Sequence, residues 1–511
     1  MNFNTKGFFL IALIFIQVNI WGQDYTVNVF PSRLNISFET VEVDDEPDLG
    51  FLGTGFEILN INRKLSSLYF GLHAYSAITG NRPGLITLGM NAGLKIPILK
   101  KQSIFADAGF FIGGGGGGGA ADGGGLILRP HINLEKQFGV FGVKVGYSQI
   151  NFPTGEINGN QFNVGFTLNG VSFLKGDETN GALSTFSPRF KKLNFSITNT
   201  YYFGLTEDSI EDNTDVDRTI GLVGAQLEYS FTDNFYGIGK INGALSGGVD
   251  GYLAILLGVG GSYPVIDNVL NIESRVLFGP TGGGRVDSGG GATAQYEIGA
   301  SLFLKNDFYI KGFLGKTQSP WGNLDANHFE ISLGKSFGRI DSKNGENQTV
   351  FKVHEKELIE NHISVSVYNR TYFVPDGLDK NNIPYLDSFN LLTFEGQKYI
   401  GDKFTLNATT VWAYTGDYGA YAEGLLGVGY HQPIFPKWNI NAKALFGAAG
   451  GGGLDVGSGL IFQYSAGIER KIGKRNNFFV SFGRYTPLEG NFKPYSLDVG
   501  FVIDLFQLFK K

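Results

Sequence analysis

The sequence predicts an all-β fold of antiparallel barrel strands that cross a membrane, arranged in three internal repeats of about eight strands each. Three observations support this prediction. A glycine-rich passage recurs at nearly equal intervals, strand-like segments alternate apolar residues with small or polar ones, and the connections at one edge of the strands are longer than those at the other.

The glycine-rich passage has a central aspartate in each of its three copies. The copies are FFIGGGGGGGAADGGGLIL, LFGPTGGGRVDSGGGATAQY and LFGAAGGGGLDVGSGLIFQY. Their aspartates, Asp122, Asp287 and Asp455, are spaced almost evenly along the chain. A flexible linker would not recur in this way, so each passage marks a repeated module.

Extending the repeat outward predicts the domain organisation. Residues 1–22 form a predicted secretory signal, because Lys6 precedes an apolar run and Gly22 is a small residue at a plausible cleavage point. An uncleaved helical anchor is the alternative, although the run is short for a membrane span. The predicted β-barrel repeats are 24–175, 191–338 and 360–507, and the polar linkers between them are 176–190 and 339–359.

Each repeat contains about eight segments with period-two alternation, which is typical of strands with two different faces. In the last segment of the first repeat, Phe162, Val164 and Phe166 share one face, whereas Asn163 and Thr167 share the other. Alternation alone does not say which face is buried. It is compatible with a soluble sandwich as well as with a membrane barrel.

Connection lengths favour the membrane barrel. The turns after the second, fourth and sixth segments are short, whereas the connection after the first is long and acidic in each repeat, around Asp44–Asp48, Asp208–Asp217 and Asp376–Asp387. Outer-membrane barrels have long loops outside and short turns in the periplasm. We therefore expect these loops outside, and the turns near Arg63–Lys64 and Lys474–Arg475 in the periplasm.

The C-terminal segment SLDVGFVIDLFQLF alternates and closes on Phe506 and Phe509. It resembles the terminal strand of Gram-negative outer-membrane β-barrel proteins, and each repeat is similar in size and layout to the small eight-stranded barrels of the outer-membrane protein A and outer-membrane protein X type. The resemblance implies export through a cleaved signal peptide to the outer membrane of a Gram-negative bacterium. It also implies insertion by the barrel assembly machinery, contact with outer-membrane lipid and lipopolysaccharide, and no cofactor.

The connections between repeats favour three small barrels in tandem. In a single barrel of about 24 strands, one repeat would pass to the next through a turn of a few residues, but the connections here are longer and charged. Glycine and charges of both signs on the inward faces also suit narrow, filled interiors. The single large barrel is the alternative.

We interpret the glycine-rich passages as hairpins between the fifth and sixth strands, where glycine tolerates positive φ and lets backbones approach closely. Asp122, Asp287 and Asp455 fit Asx-type turns in these hairpins. A calcium-binding β-roll is a weaker alternative, because GGGGLD fits its repeat but the other two copies do not. Weak divalent-ion binding by the acidic outer loops is a separate alternative.

The predicted inward faces carry charges of both signs: Lys95, Asp107, Glu135, Lys144, Lys240, Glu273, Arg275, Glu297, Lys311, Glu330, Glu423, Lys443 and Asp498. Unpaired charges are costly inside a narrow barrel, so we expect these to pair across the lumen. The pairs could form a structural plug or line a hydrated path for a solute.

Composition argues against several function classes. The chain has no Cys, which excludes disulfides and thiolate metal sites, and its net charge of −6 does not favour nucleic-acid binding. The six histidines, His73, His131, His328, His354, His362 and His431, occupy different places in the repeats. No catalytic, cofactor-binding or metal residue is predicted. His328 with Ser319 is the nearest arrangement to the His and Ser of a lipid-modifying barrel enzyme.

The sequence therefore predicts an integral outer-membrane protein with a structural, surface-binding or passive-transport role and no catalysis. The alternative is a secreted, soluble β-repeat adhesin in which the apolar faces form the cores of sandwiches. A barrel-type lipid-modifying enzyme is a distant alternative.

Overall fold

The computed structural model describes residues 24–43, 46–60, 67–175, 185–186, 189–210, 219–249, 251–341, 350–354, 358–375, 377–380, 382–473 and 475–510. These residues form three closed antiparallel barrels of eight strands each. In this part of the chain, no helix is long and apolar enough to cross a membrane. The prediction of three small barrels is confirmed, and the single large barrel is wrong because every repeat closes on itself. The predicted signal peptide lies outside the described residues.

The first barrel consists of β1 (Asp24–Val41), β2 (Leu49–Leu59), β3 (Leu68–Thr79), β4 (Ile86–Leu99), β5 (Ile104–Gly116), β6 (Ile127–Phe138), β7 (Phe141–Asn151) and β8 (Asn158–Lys175). Consecutive strands pair as antiparallel neighbours. The barrel closes because β1 also pairs with β8, with Arg33 opposite Asn169 and Phe38 opposite Val164.

A short strand, β9 (Thr185–Phe186), precedes the second barrel. The barrel consists of β10 (Arg189–Phe203), β11 (Thr219–Ser230), β12 (Phe235–Ser246), β13 (Leu253–Ile266), β14 (Leu270–Gly282), β15 (Ala292–Phe303), β16 (Phe308–Gln318) and β17 (Asp325–Asp341). It closes through the pairing of β10 with β17, in which Ile197 lies opposite Leu333.

Another short strand, β18 (Val350–His354), pairs with β1 of the first barrel. The third barrel consists of β19 (Leu358–Phe373), β20 (Ser388–Ile400), β21 (Phe404–Ala413), β22 (Ala422–Phe435), β23 (Trp438–Gly450), β24 (Leu460–Lys471), β25 (Asn476–Pro487) and β26 (Tyr495–Lys510). It closes where β19 pairs with β26. Of the predicted linkers, the described parts include β9, β18 and the ends of the barrel strands.

The barrels are apolar outside and polar inside. On β8, the side chain of Phe162 is 83% exposed and that of Thr167 only 2%. The same holds on β17, where Ile331 is exposed and Glu330 buried, and on β26, where Phe501 is exposed. The apolar faces are therefore not the cores of soluble sandwiches, and the arrangement is that of transmembrane barrels.

A buried apolar cluster closes each lumen at the end with the long loops. In the third barrel it includes Tyr372, Phe389, Tyr418, Tyr421, Tyr485 and Phe492. Equivalent clusters include Phe51, Tyr75 and Phe111 in the first barrel and Tyr202, Tyr252 and Leu277 in the second. Within each lumen, the apolar cluster lies nearer to the long loops than the buried charged side chains do.

Candidate functional site

The lumen of the first barrel is centred on the buried guanidinium of Arg33. Arg33 donates to Glu57 and Asp107, and its Nη1 lies 2.8 Å from Glu135 Oε2. Lys95 Nζ approaches the same Glu135 carboxylate at 2.8 Å. One arginine from β1 thus joins carboxylates from β2, β5 and β6 across the barrel.

The second barrel repeats this arrangement with an arginine from another strand. Arg275, on β14, lies 2.5 Å from Glu297 and 2.9 Å from Glu330, and its guanidinium is stacked 3.5 Å from the ring centroid of Phe313. Lys240 bonds to both of these carboxylates. Further along the lumen, Lys311 Nζ lies 2.7 Å from Glu228 and 3.0 Å from Glu273.

The third barrel has a smaller set of cations. Arg370 lies 2.9 Å from Asp498 and 3.3 Å from Glu423, and Lys443 lies 2.8 Å from Glu395. All these side chains are buried in the lumen. The ion pairs hold β19, β20, β22, β23 and β26 together from inside.

The predicted pairing of inward charges across the lumen is confirmed for the residues in these clusters. The central arginines of the first and third barrels, Arg33 and Arg370, and the carboxylates Glu57, Glu228 and Glu395 were not predicted. The sequence carried a signal for Arg33, because Arg33 shares the polar phase of β1 with Asn35 and Glu39, whereas Glu57 shares its phase of β2 with small and apolar residues.

Little space remains inside the first barrel. A cavity of about 10 Å³ lies beside Asn35, Tyr75, Asn91, Arg129 and Lys144. A volume of this size holds about one water molecule. The side chains of the lumen therefore fill it rather than line a channel at this level.

The structure does not join His328 with Ser319. His328 bonds to Thr317 Oγ1 at 2.9 Å and to Glu297 at 3.0 Å, whereas the Ser319 hydroxyl lies 3.0 Å from Thr293 Oγ1. Within the described ranges, no three His, Asp or Glu side chains are arranged to hold a metal ion. His328 belongs to the ion-pair network of the second barrel.

Two of the three glycine-rich hairpins form the predicted Asx turns. Asp287 Oδ1 accepts from the amide of Gly289 at 2.9 Å, and Asp455 Oδ1 accepts from that of Gly457 at 3.4 Å. The prediction is wrong for Asp122, whose Oδ2 accepts from the amide of Gly117 at 2.7 Å. The glycine run before Asp122 lets the chain turn back on itself, so that an earlier amide reaches the carboxylate.

Equivalent glycines in the hairpins meet the loop between the seventh and eighth strands. Gly123, Gly289 and Gly457 have φ of 56°, 57° and 59°. An added Cβ would lie 2.2 Å from the carbonyl oxygen of Thr154 in the first barrel and 2.0 Å from that of Trp321 in the second. Both the positive φ and this close approach require glycine.

Two glycine-rich hairpins also contact a neighbouring barrel, which the sequence did not reveal. An added Cβ on Gly124 of the first barrel would lie 3.0 Å from the Cα of Thr415 in the third. An added Cβ on Gly290 of the second barrel would lie 2.4 Å from the Cα of Thr79 in the first. The first barrel is thus joined to both others at the long-loop edge.

Asp122 is buried in the contact between the first and third barrels. Its Oδ1 lies 2.7 Å from the position of an added Cβ on Gly419, and the Gly419 amide donates to the carbonyl of Gly123 at 3.1 Å. Burial away from water raises the pKa of Asp122 to about 6, against the opposing effect of the hydrogen bond from Gly117. Burial therefore keeps the Asp122 carboxyl largely protonated up to about pH 6, where an exposed aspartate is ionised.

We expect the contact around Asp122 to be strongest at low pH. The folded-state pKa of about 6 lies above the ordinary aspartate value of 3.8. The stabilising effect of protonated Asp122 is therefore complete below pH 3.8 and is lost as pH rises through 6. Asp122→Asn should remove this pH dependence, with an effect on the order of 1 kcal/mol between pH 5 and pH 7. Urea unfolding of the full chain at both pH values measures it. Asp455→Asn, in the equivalent hairpin, is the matched control, and equal pH dependence in the Asp122→Asn variant and the unmodified chain would contradict the account.

No protein-family model matches the sequence, and no curated protein sequence matches it. Similar solved structures include the siderophore receptor PirA from Acinetobacter baumannii, with 8% identity, a TM-score of 0.26, and coverage of 93% of this chain and 80% of that one. Another is OccAB4 from Acinetobacter baumannii, with 9% identity, a TM-score of 0.21, and coverage of 96% and 99%. A mutant of the ferric enterobactin receptor PfeA from Pseudomonas aeruginosa has 7% identity, a TM-score of 0.28, and coverage of 95% and 82%. These structures are Gram-negative outer-membrane barrels.

Proposed function

We propose that this chain is an integral outer-membrane protein whose three sealed barrels hold an acidic surface of long loops, in a structural or surface-binding role. The observation that carries the proposal is the combination in each barrel of an apolar exterior with an interior filled by ion pairs and an apolar cluster. The first feature supports a membrane location, and the second argues against a pore.

The exposed apolar side chains surround each barrel rather than forming one patch. In the first barrel they come from different strands and include Phe56 on β2, Leu94 on β4, Ile132 on β6, Val145 on β7 and Phe166 on β8. Soluble proteins rarely expose so much contiguous apolar surface. Closed strand pairing also leaves no free edge in each barrel, which is what a bilayer requires.

Filled lumens favour an anchoring role over passive transport. The ion pairs of Arg33 with Glu135, Arg275 with Glu330 and Arg370 with Glu423 connect strands that are not neighbours in the barrel, and the apolar clusters cover these pairs toward the long loops. A solute would have to break buried pairs and displace aromatic rings, and both steps are costly.

The two edges of the barrels differ in charge. The long loops carry acidic residues that include Glu42, Glu46, Asp48, Glu207, Asp208, Asp379, Asp387, Asp417 and Glu489. The short turns carry basic residues that include Lys100, Lys101, Lys305, Lys403, Lys437 and Arg475. An acidic loop face favours cationic partners, which is the basis for the surface-binding part of the proposal.

Labelling of single cysteines on intact cells tests the membrane location and the orientation together. Because the natural chain has no Cys, each introduced thiol is unique. We expect Asp417→Cys, exposed in a long loop, to react with an impermeant reagent on intact cells. Asp402→Cys, exposed in a short turn, should react only after the outer membrane is permeabilised. The reverse pattern would invert the topology, and release of the protein into the medium would favour the secreted alternative.

A further inference from the structure

The long-loop edge of each barrel presents two surfaces that repeat. We call residues 77–85 of the first barrel, 244–249 and 251–252 of the second, and 413–421 of the third the acceptor loops. Each is closed by the same backbone hydrogen bond, from Ala77 to Leu85 at 2.9 Å, from Ala244 to Tyr252 at 2.9 Å and from Ala413 to Tyr421 at 3.0 Å. These bonds make Thr79, Ser246 and Thr415 structurally equivalent.

The glycine hairpins are the second repeated surface and comprise residues 115–125, 281–291 and 449–459. Each is closed by an equivalent bond, from Gly115 to Gly125 at 3.0 Å, from Thr281 to Gly291 at 2.7 Å and from Ala449 to Gly459 at 2.8 Å. The residue before the closing glycine is Gly124 in the first barrel, Gly290 in the second and Ser458 in the third.

The second and third barrels also pair directly where β17 meets β26, but the two contacts that a glycine hairpin makes with another barrel use the same pair of equivalent positions. Gly290 of the second barrel lies against Thr79 of the first, and Gly124 of the first lies against Thr415 of the third. In each case a glycine hairpin of one barrel sits on the acceptor loop of another. The contact has a direction, running from the second barrel to the first and from the first to the third.

The acceptor loop of the second barrel and the glycine hairpin of the third barrel take part in neither contact. Both are more exposed than their equivalents in the other barrels. Ile78, in the covered acceptor loop of the first barrel, is 6% exposed, whereas the equivalent Leu245 of the second barrel is 59% exposed. Ser458 is exposed, whereas the equivalent glycines Gly124 and Gly290 are buried. In the third hairpin, an added Cβ on Gly450 would meet no atom within 4 Å.

We propose that the glycine hairpin of the third barrel binds the acceptor loop of the second barrel in a second copy of this chain. The two surfaces match because each repeats a partner that is already bound within the chain. Directional contacts of this kind continue from copy to copy when they do not close within one molecule. The expected assembly is therefore a row of chains joined head to tail at the long-loop edge.

The contact between copies differs from the internal ones in two respects. Ser458 stands where the internal hairpins have glycine, so its side chain requires a wider spacing between the two backbones. Leu245 is more exposed than the equivalent Ile78, and burial of its side chain would compensate for the wider spacing. The proposed contact between copies is inferred from the geometry of the loops. It rests on the proposed function only in that a common membrane would align neighbouring copies in one plane.

Disulfide crosslinking between two single-cysteine variants tests the proposal. Ser458→Cys and Ser246→Cys chains with different affinity tags are expressed together and oxidised in isolated membranes. We expect a disulfide-linked species of two chains that carries both tags. Ser458→Cys combined with Asn81→Cys, whose exposed residue lies in a covered acceptor loop, is the matched control and should give at least tenfold less of this species.

Two further variants keep the outcomes separable. A double Ser246→Cys/Ser458→Cys chain that crosslinks only within itself would overturn the proposal in favour of closure within one chain, and absence of any mixed species would overturn it outright. Ser458→Trp, a bulky change at an exposed position, should reduce copurification of two differently tagged chains at least tenfold. Labelling at Asp417→Cys on intact cells tests the proposed function independently. A failure of the proposed function can therefore be told apart from a failure of the proposed contact between copies.

Discussion

Replacing Arg275 with methionine is expected to destabilise the second barrel by about 3–5 kcal/mol, the usual cost of removing one partner from a buried ion pair. Arg275 is fully enclosed and lies within 2.9 Å of both Glu297 and Glu330. Methionine preserves much of the volume over Phe313 but removes the guanidinium that bridges these two carboxylates, which keep their contacts with Lys240. The loss therefore comes from uncompensated charge rather than from a cavity.

Trp321 allows this loss to be measured in the intact chain, because the third barrel contributes the only other tryptophans after residue 22, Trp412 and Trp438. In a Trp412→Phe/Trp438→Phe background, urea unfolding followed by fluorescence reports the second barrel. Lys316→Met is the matched control, since the Lys316 and Asp325 side chains are about half exposed and 3.0 Å apart. It should change stability by less than about 1 kcal/mol. Equal effects of the two substitutions would contradict the structural role of Arg275.

Phe492→Ala is expected to destabilise the third barrel by about 3–5 kcal/mol, the range for removing a buried aromatic ring. Phe492 is fully buried although it lies in the loop between β25 and β26. Its ring centroid is 5.4 Å from that of Tyr485, 5.8 Å from that of Tyr372 and 5.9 Å from that of Tyr421. The loop thus inserts the ring that completes the apolar cluster.

In a Trp321→Phe background, fluorescence of Trp412 and Trp438 during urea unfolding measures the effect of Phe492→Ala. Leu488→Ala is a matched control from the same loop, because Leu488 is exposed. We expect that control to change the free energy of unfolding by less than about 0.5 kcal/mol. A similarly small effect of Phe492→Ala would mean that the cluster does not stabilise the closed end of the barrel.

Much of the fold was predictable because period-two alternation records which face of a strand meets which environment. Phe162 and Thr167 differ in exposure as expected from their opposite phases on β8. The Asx turns at Asp287 and Asp455 were also predictable, since that turn depends only on a side chain and the amide two residues on. Sequence patterns of a few residues sufficed for features that depend only on residues close together in the chain.

The pairing of inward charges was predictable, but local rules could not show which charges meet across the lumen or that the barrels contact each other. Arg33 meets Asp107 and Glu135 only after the barrel closes with a particular stagger of its strands, which no single segment specifies. Likewise, nothing near Gly124 in the sequence indicates that Thr415 lies against it. Glycine is needed both for the turn within a hairpin and for close packing between barrels. A glycine-rich sequence therefore does not show which of these two roles a given glycine has.

Planar-bilayer recording on the purified chain tests the central claim most directly. Three barrels filled by ion pairs and closed by apolar clusters should insert without producing a stable conducting state. The current should remain at the level of protein-free bilayers under conditions in which protease protection shows that the protein is inserted. A reproducible, large-conductance channel from the inserted protein would contradict the account of three sealed barrels.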